Sequence, residues 1–533
     1  MMNNFLKNIL KLKRPEDLLA ETKSSSLKKT LNGFDLVILG IGAIIGAGIF
    51  SMIGAAVVGH GTIPGAGPSI VISMIVAAIA CIFSALCYAE FASMIPAAGG
   101  VYTYTYATLG EFAAWTMGWI LILQYAIGNI TVACSWTGYF FQFIRGFEAY
   151  IVYLPHSLQG LAHHLLYPPL WLINDIHTMH QHYPDAYMPM LFGSIPIALN
   201  VPAIFMTVLV TAILIKGMSE SKNIASALVI IKLAVIALFV VLGAFYVKPA
   251  HWGLFTPNGL GIFAPNGLLG ICGGAFTIFF AYIGFDAIST AAEETKNPQK
   301  DVPFGIIGSL VLCTIIYIFV ALVLTGMTLD IDIKAPIAAA MANVGQGWIA
   351  GFISLGALAG LTSVLLVMQL AATRIMFAMS RDRFFPSIFT NVHSKFKTPH
   401  IITIAVGLLI IIGTLFIDFG TAAEICNFGV FTSFMVVCIG VLILRKTNPD
   451  RERPFKVPCV PYFPALGILV CASLMVYAAI VKPQIGLLFI GWILLGIGIY
   501  FSYGYKKNFN NEIDTQKKVA KQLDSKKEKQ LIK

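Results

Sequence analysis

Two ionisable residues lie inside long apolar runs, where a charge is costly. Lys232 falls within the run 224–247, and Asp286 falls within the run 267–291. A charge at the centre of a membrane span costs about 2.5–3.5 kcal/mol on insertion scales, so such residues tend to be functional. We expect Lys232 to exchange a proton during a working cycle, with Asp286 as a second candidate for proton or substrate contact. Each has a structural alternative, because a lysine can reach the interface and a carboxylate can stabilise a helix N-terminus.

Glycines interrupt the first apolar run, 34–58. Gly46 and Gly48 lie about 18 Å along it, near the middle of a hydrocarbon core about 30 Å thick. Because glycine disfavours helix, a break is predicted there, and the stretch 273–286 repeats the pattern. Unpaired amides cannot face lipid, so both breaks must line an enclosed cavity, where a half-helix N-terminus suits a carboxylate. Two interrupted spans in corresponding halves are typical of the binding site of a secondary transporter.

The composition is that of a multi-pass membrane protein. Of 533 residues, 58% are hydrophobic and only 11% are charged, against about 25% charged in soluble domains. Twelve apolar spans are predicted at about 34–58, 68–95, 112–144, 197–217, 224–247, 267–291, 304–328, 348–379, 400–418, 421–444, 462–481 and 484–505. The long outer loop 145–196 includes the spacing His177-x-x-His180-x-His182. We interpret it as a polar loop rather than a metal site.

The net charge of +10 is distributed unevenly along the chain. Thirty of the 35 lysines and arginines fall on cytoplasmic segments if both termini are cytoplasmic. This asymmetry follows the positive-inside rule, so the basic charge sets orientation and can contact anionic lipid headgroups. It does not indicate nucleic acid as a partner. The expected location is the cytoplasmic (inner) membrane, with several passes.

The order of the spans predicts an all-α protein with an inverted repeat. Each broken span is followed by four more spans before residue 445, and an odd-numbered repeat inserts its second copy with opposite orientation. The predicted segments are a cytoplasmic tail 1–33, a first five-helix repeat 34–247, an outer loop 248–266, a second repeat 267–444, an inner loop with two peripheral helices 445–505, and a basic tail 506–533. The two peripheral helices are expected to pack against lipid, a second copy or a small membrane subunit.

Four features together resemble the amino acid–polyamine–organocation superfamily, in particular the bacterial relatives of cationic amino acid transporters. They are the stretch 46–50, Lys232, the stretch 279–286, and the inner motif Glu293-Glu294-x-x-Asn297-Pro298. The resemblance covers about residues 34–505. It implies a LeuT-like fold of twelve helices, with the first and sixth discontinuous and the substrate held between them.

The resemblance also implies roles for individual residues. Amides around Ile45, Ala47 and Gly48 would bind an α-carboxylate, and carbonyls of Phe280, Ala281 and Ile283 would accept the α-amino group. Lys232 corresponds to a lysine that, in proton-coupled members, replaces a sodium ion of sodium-coupled relatives. The complete set of candidate substrate-binding residues is Ile45, Gly46, Ala47, Gly48, Ile49, Gln124, Phe280, Ala281, Ile283, Asp286 and Met368.

One departure from the family pattern bears on specificity. Many members carry Leu-Glu-Tyr in the third helix, whereas this chain has Leu123-Gln124-Tyr125. Gln124 can hydrogen-bond but cannot neutralise a buried cation, and the apolar Met368 would crowd a long cationic side chain. We therefore predict neutral amino acids as the main substrates, taken up with protons.

Several alternatives remain beside this prediction. Amino acid exchange without net proton movement and transport of cationic amino acids both fit the same resemblance. A membrane enzyme or a sensor is disfavoured, because the sequence has no P-loop, HExxH or GxSxG motif and neither tail is long enough for an output domain. No cofactor or metal is expected, since the proton gradient would supply the driving force.

Overall fold

A computed structural model gives the architecture of the chain. It describes residues 11–13, 31–95, 100–146, 148, 155–191, 195–217, 221–253, 259–290, 292, 295–396 and 398–504. The predicted tails, apart from short pieces, and the acidic pair Glu293 and Glu294 lie outside the described residues. Within these ranges the protein is built almost entirely of helices.

The helices are numbered in chain order. They are α1 (Gly33–Ile44), α2 (Ile53–Val58), α3 (Ile70–Met94), α4 (Gly100–Thr108), α5 (Glu111–Arg145), α6 (His156–Leu166), α7 (Ile176–His182), α8 (Val201–Lys216), α9 (Ser221–Gly243), α10 (Gly259–Phe263), α11 (Gly267–Ile278), α12 (Ala287–Thr290), α13 (Pro298–Met327), α14 (Pro336–Asn343), α15 (Gly347–Arg381), α16 (His400–Phe416), α17 (Phe419–Thr447), α18 (Tyr462–Val481) and α19 (Pro483–Ile499).

Two short antiparallel hairpins interrupt the helical pattern. β1 (Gly59–His60) pairs with β2 (Ile63–Pro64), and β3 (Met190–Leu191) pairs with β4 (Ile195–Pro196). Short 3-10 turns cover Gly67–Ser69, Leu170–Leu172, Ala244–Tyr246, Pro249–Trp252, Phe279–Tyr282 and Ser387–Thr390, and π-helical turns cover Gly48–Met52 and Tyr500–Gly504.

The described helices are long and apolar enough for a multi-pass membrane protein. Nine of the described segments can each cross a bilayer, and the bent pair Gly33–Ile44 and Gly48–Val58 supplies a tenth. Two shorter apolar helices, α8 and α16, occupy the positions of the predicted fourth and ninth spans. A short helix of 16 or 17 residues is near the lower limit for spanning.

The first span is broken where the glycines predict a break. Helix α1 ends at Ile44, and Ile45 adopts an extended backbone with φ −73° and ψ 104°. The chain resumes as the π-helical turn Gly48–Met52 and then α2, bent by 44° from α1. All residues from Gly40 to Val57 are buried, so the open backbone faces protein rather than lipid.

The sixth span is also interrupted, but not at its paired glycines. Helix α11 runs through Gly273 and Gly274 and ends at Ile278; a 3-10 turn follows. Ile283 is extended, with φ −66° and ψ 134°, and the short helix α12 starts at Ala287. The break therefore lies at 279–286, the second half of the predicted stretch.

Helices α5, α13, α15 and α17 pack around the broken spans. Helix α5 contacts α15 and α17, while α13 contacts α1 and α3. Glu90 on α3 is fully buried and accepts two hydrogen bonds from Arg445 on α17, at 2.9 and 2.7 Å. The backbone amide of Val457 donates a third at 2.7 Å. These contacts fix the segment that follows α17 against α3.

Candidate functional site

The two breaks meet face to face near the centre of the bundle. The π-helical turn Gly48–Met52 contacts the 3-10 turn Phe279–Tyr282. A Cβ atom at Gly48 would overlap the backbone of Ala281, so only glycine permits this approach. The two interrupted backbones therefore line the same region of the interior.

Tyr317 on α13 links the two breaks. Its hydroxyl lies 3.1 Å from the carbonyl oxygen of Ile44 and 2.9 Å from that of Ala281. Both are carbonyls at helix interruptions, where the usual intrahelical partner is lost. Because one hydroxyl carries one proton, Tyr317 donates to either carbonyl in turn. Tyr317 therefore couples the position of the first span to that of the sixth.

Lys232 lies at the end of α1. Its side chain is fully buried, and its ammonium donates to the carbonyls of Gly42 and Ile45, the latter at 2.8 Å. The hydroxyl of Ser363 on α15 lies 3.5 Å away. A cation at a helix C-terminus satisfies orphan carbonyls and interacts favourably with the helix dipole. The interface-anchor alternative for Lys232 is therefore wrong, since the ammonium points into the protein.

Asp286 lies just after the second break, against α5. Its carboxylate accepts a hydrogen bond of 2.8 Å from the hydroxyl of Tyr125 and one of 3.2 Å from the amide of Gly284. The side chain is buried, with 4% exposed. Asp286 lies immediately before α12 and connects the break to the third span through Tyr125. Its contact with a proton or a substrate stays a prediction.

An uncharged polar region lies beside the breaks, between α5, α15 and α17. Gln124 is buried, its side-chain oxygen is 3.5 Å from the hydroxyl of Ser433, and its Nε2 has no hydrogen-bond partner among the described residues. The thiol of Cys426 donates to the backbone carbonyl of Gln124 at 3.2 Å. Buried polar atoms normally have partners, so the unpaired amide nitrogen leaves hydrogen-bonding capacity for a bound molecule or water.

Met368 lies against the same face of α5. A Cβ atom at Gly128 would come within 3.3 Å of its sulfur and within 3.2 Å of the sulfur of Cys426. The glycine thus allows the two sulfur atoms to pack closely against α5. A flexible thioether beside a small residue forms an adaptable apolar surface.

The structure brings together most of the residues predicted for the site. Ile45 to Ile49 and Phe280 to Ile283 are buried at the facing breaks. The carbonyls of Phe280 and Ala281 already accept from the Ile283 amide and the Tyr317 hydroxyl, respectively. Each retains a second lone pair for a ligand. The substrate roles of these residues stay predictions.

Sequence reasoning missed the tyrosines that support the site. Three of them are buried. The hydroxyls of Tyr317 and Tyr139 donate to carbonyl oxygens at the two breaks, and the hydroxyl of Tyr125 donates to Asp286. The signal available was weak: a hydroxyl within an apolar run needs a partner, but the sequence does not identify it. Among the described residues, no group of three His, Cys, Asp or Glu side chains forms a metal site.

The fold and the site define a multi-pass membrane protein with two broken spans around a buried polar region. The amino acid permease family matches residues 31–500. The chain belongs to this family. The expected assignment to the amino acid–polyamine–organocation superfamily is thereby confirmed.

Individual relatives cover nearly the whole chain. It is 40% identical over 513 residues to the branched-chain amino acid permease BcaP of Bacillus subtilis, covering 95% of this chain and 99% of that protein. It is 39% identical over 509 residues to the methylthioribose transporter of the same organism, covering 95% and 100%. It is 35% identical over 437 residues to cationic amino acid transporter 9 (chloroplastic) of Arabidopsis thaliana, covering 81% and 69%. All three are named as transporters or permeases, so this chain is an amino acid permease by family.

Proposed function

We propose that this permease takes up neutral α-amino acids together with protons, by alternating access around the two broken spans. The contact of Lys232 with the carbonyls of Gly42 and Ile45 carries this proposal. Loss of the ammonium proton would remove the positive charge from the C-terminal end of α1. The position of α1, and with it access to the site, would then depend on protonation of Lys232.

The substrate would lie between the breaks. The half-helix that begins at Gly48 presents its first amides to the α-carboxylate, and the carbonyls at 280–283 receive the ammonium group. This arrangement uses the two ends that all α-amino acids share. The two breaks would therefore bind the part that all α-amino acids have in common. Specificity would depend on the contacts of the substrate side chain.

The surroundings of the substrate side chain favour a neutral, branched aliphatic amino acid. Gln124, Cys426 and Met368 contribute no charge, and the side chains of Cys426 and Met368 add apolar surface around Gly128. The relative named for branched-chain amino acids supports the same class. Leucine, isoleucine and valine are therefore the first substrates to test.

A second candidate substrate is 5-methylthioribose, because a relative of nearly equal identity is named as its transporter. The sulfur atoms of Met368 and Cys426 could pack against a thioether. This sugar has neither a carboxylate nor an ammonium group, so the two broken helix ends would have no charged partner. For that reason we place amino acids first.

Competition against radiolabelled L-leucine in proteoliposomes tests the substrate class. We expect isoleucine and valine to compete best, and arginine, lysine and 5-methylthioribose to compete weakly. Arginine competing better than every neutral amino acid would favour the cationic alternative. Uptake only into vesicles preloaded with amino acids, unaffected by a proton gradient, would identify an exchanger.

The orientation is part of the same proposal. The concentration of Lys and Arg on one side supports cytoplasmic termini and a place in the cytoplasmic membrane. Helices α18 and α19 carry strongly exposed apolar side chains, such as Ile480 and Leu487, which suit lipid, a second copy or a small membrane subunit.

A further inference from the structure

A cluster of charged and titratable residues lies at the outer end of the first span, away from the substrate region. Hairpin β1–β2 directly continues the outer half-helix α2, and His60 on β1 points at the first turns of α17. Its Nε2 atom lies 3.5 Å from Asp418, and its Nδ1 atom lies 3.7 Å from Glu424. One imidazole thus lies between two carboxylates of a different span.

The two carboxylates differ in the groups that offset their negative charge. Lys482 pairs with Glu424 at 2.7 Å and also lies 3.3 Å from the hydroxyl of Thr421. Asp418 caps α17 by accepting from the Thr421 amide at 2.9 Å, and His177 on α7 lies 3.3 Å from its other oxygen. With both histidines neutral, one lysine faces two carboxylates; a proton on His60 would balance the cluster.

Asp418 stays ionised over the pH range in which histidines titrate. Burial opposes its ionisation, but hydrogen bonds from Thr421 and the charges of His60 and Lys482 outweigh burial, so the pKa of Asp418 lies below its usual range. A histidine is the side chain that changes charge between about pH 5 and 8. Asp418 is therefore not the group whose protonation changes the charge of the cluster in that window.

The geometry makes His60 the residue that connects this cluster to the transport elements. Its side chain is only 17% exposed, and its ring occupies the space that a Cβ atom at Gly420 would need. Thr62, at the other end of the hairpin turn, donates to the carbonyl of Val481 at 3.0 Å. The other helices that contact β1, α2 and α11, carry no Asp, Glu, Lys, Arg or His.

Protons can reach the cluster from outside the bundle. A cavity of about 1020 Å³ is lined at its polar end by His60, His177, Asp418 and Lys482. His177 is 55% exposed, so this side of the cluster is accessible from outside the protein. The imidazole of His60 is therefore packed tightly but not sealed from exchange.

We propose that His60 forms a proton-controlled ionic contact, here called the clasp, with Asp418 and Glu424. The clasp holds the outer half of the first span against α17. Protonation places a positive charge between Asp418 and Glu424, fastens hairpin β1–β2 to α17, and so disfavours outward movement of α2. Deprotonation leaves excess negative charge and releases the hairpin. Outer pH would thereby set how readily the site opens outward, a control that rests on the proposed transport function but acts outside the substrate site.

Hydrogen–deuterium exchange of the segment 53–64 tests the clasp in the purified full chain, without substrate. After correction for intrinsic exchange rates, we expect protection of this segment to increase at least about threefold from pH 8 to pH 5.5. His60→Gln should lose this pH dependence, and Asp418→Asn, which keeps an N-cap side chain, should reduce it. His180→Gln, an exposed histidine on α7, is the matched control and should behave as the wild type.

A wild-type pH dependence in His60→Gln would overturn the proposal, as would loss of that dependence only in His177→Gln. A parallel measurement of L-leucine uptake separates this proposal from the transport proposal. Uptake that fails for every amino acid, with the exchange result as expected, would leave the clasp in place and reject the proposed substrate. Because Asp418→Asn retains the helix cap, it tests the clasp even if His60→Gln does not fold.

Discussion

The ammonium of Lys232 lies 2.8 Å from the carbonyl oxygen of Ile45, the residue at which the first span leaves its helix. A lysine on α9 therefore fixes the end of α1 beside the candidate substrate site. The contact joins the element that would carry the proton to the backbone that would bind the carboxylate. With Lys232 as the proton carrier, coupling between proton and substrate would need no long pathway, because both would act on the same break.

Replacing Tyr317 by phenylalanine should weaken transport without unfolding the protein. The change removes one hydroxyl that serves the carbonyls of Ile44 and Ala281. A neutral hydrogen bond is worth about 0.5–1.5 kcal/mol, so we expect kcat/KM for L-leucine to fall roughly 2- to 10-fold. Tyr462→Phe, at a tyrosine that is 71% exposed, is the control. Equal uptake by the two variants would show that the Tyr317 hydroxyl does not contribute to transport.

Replacing Gly48 by alanine should separate the two breaks. The added methyl group would overlap the backbone of Ala281, and neither backbone can move without disturbing the site. Overpacking costs about 1–3 kcal/mol, and we expect uptake to fall by more than about tenfold. Gly498→Ala on α19, where a Cβ would meet nothing within 4 Å, should be neutral. Uptake assays at matched protein amounts compare the two.

Replacing Gln124 by glutamate should move specificity toward cationic substrates. A carboxylate at this buried position can pair with an ammonium or guanidinium group, whereas burying it beside an aliphatic side chain is unfavourable. We expect arginine and lysine to gain in competition against L-leucine by about tenfold or more, a difference of about 1.4 kcal/mol. Gln142→Glu, on the same helix but half-buried near its C-terminal end, is the control. An unchanged ranking would show that Gln124 does not contact the substrate side chain.

Replacing Glu90 by glutamine should lower stability more than transport per folded molecule. The buried carboxylate accepts from Arg445 twice and from the amide of Val457 once. Breaking a fully buried pair costs about 3–5 kcal/mol, but Arg445 is 26% exposed, so we expect about 2 kcal/mol and a lower Tm. Glu452→Gln, at an exposed position in the same inner loop, is the reference. A normal Tm with lost uptake would instead assign Glu90 to the transport cycle.

The parts of the fold that could be predicted from the sequence were those with residues that are rare in apolar runs. A lysine and closely spaced glycines inside such runs are costly, so the burial of Lys232 and the break after Ile44 were predictable. The break in the sixth span was displaced from Gly273 and Gly274, because these glycines serve close packing of α11 against the segment 64–66 instead. Local helix propensity cannot distinguish these two uses of glycine.

Pairings between distant residues could not be predicted in the same way. Tyr125 contacts Asp286 across 161 positions, and His60 contacts Asp418 from the opposite part of the chain. Tyrosine is common at membrane interfaces, so Tyr125 does not stand out in the sequence. A single histidine in a short turn gives no indication of its partner. Their partners are decided by how α5 and α17 pack, which hydropathy does not encode.

The proposed role of Lys232 in proton coupling is tested by proton-driven accumulation of L-leucine in proteoliposomes, compared between the wild type and Lys232→Ala. We expect the wild type to accumulate L-leucine under an inward proton gradient, and a protonophore to abolish this accumulation. We expect no accumulation by Lys232→Ala, whereas Lys248→Ala, at an exposed lysine that follows the C-terminal end of the same helix, should behave as the wild type. Accumulation by Lys232→Ala as strong as that of the wild type under the same gradient would contradict the proposed role of Lys232 in proton coupling.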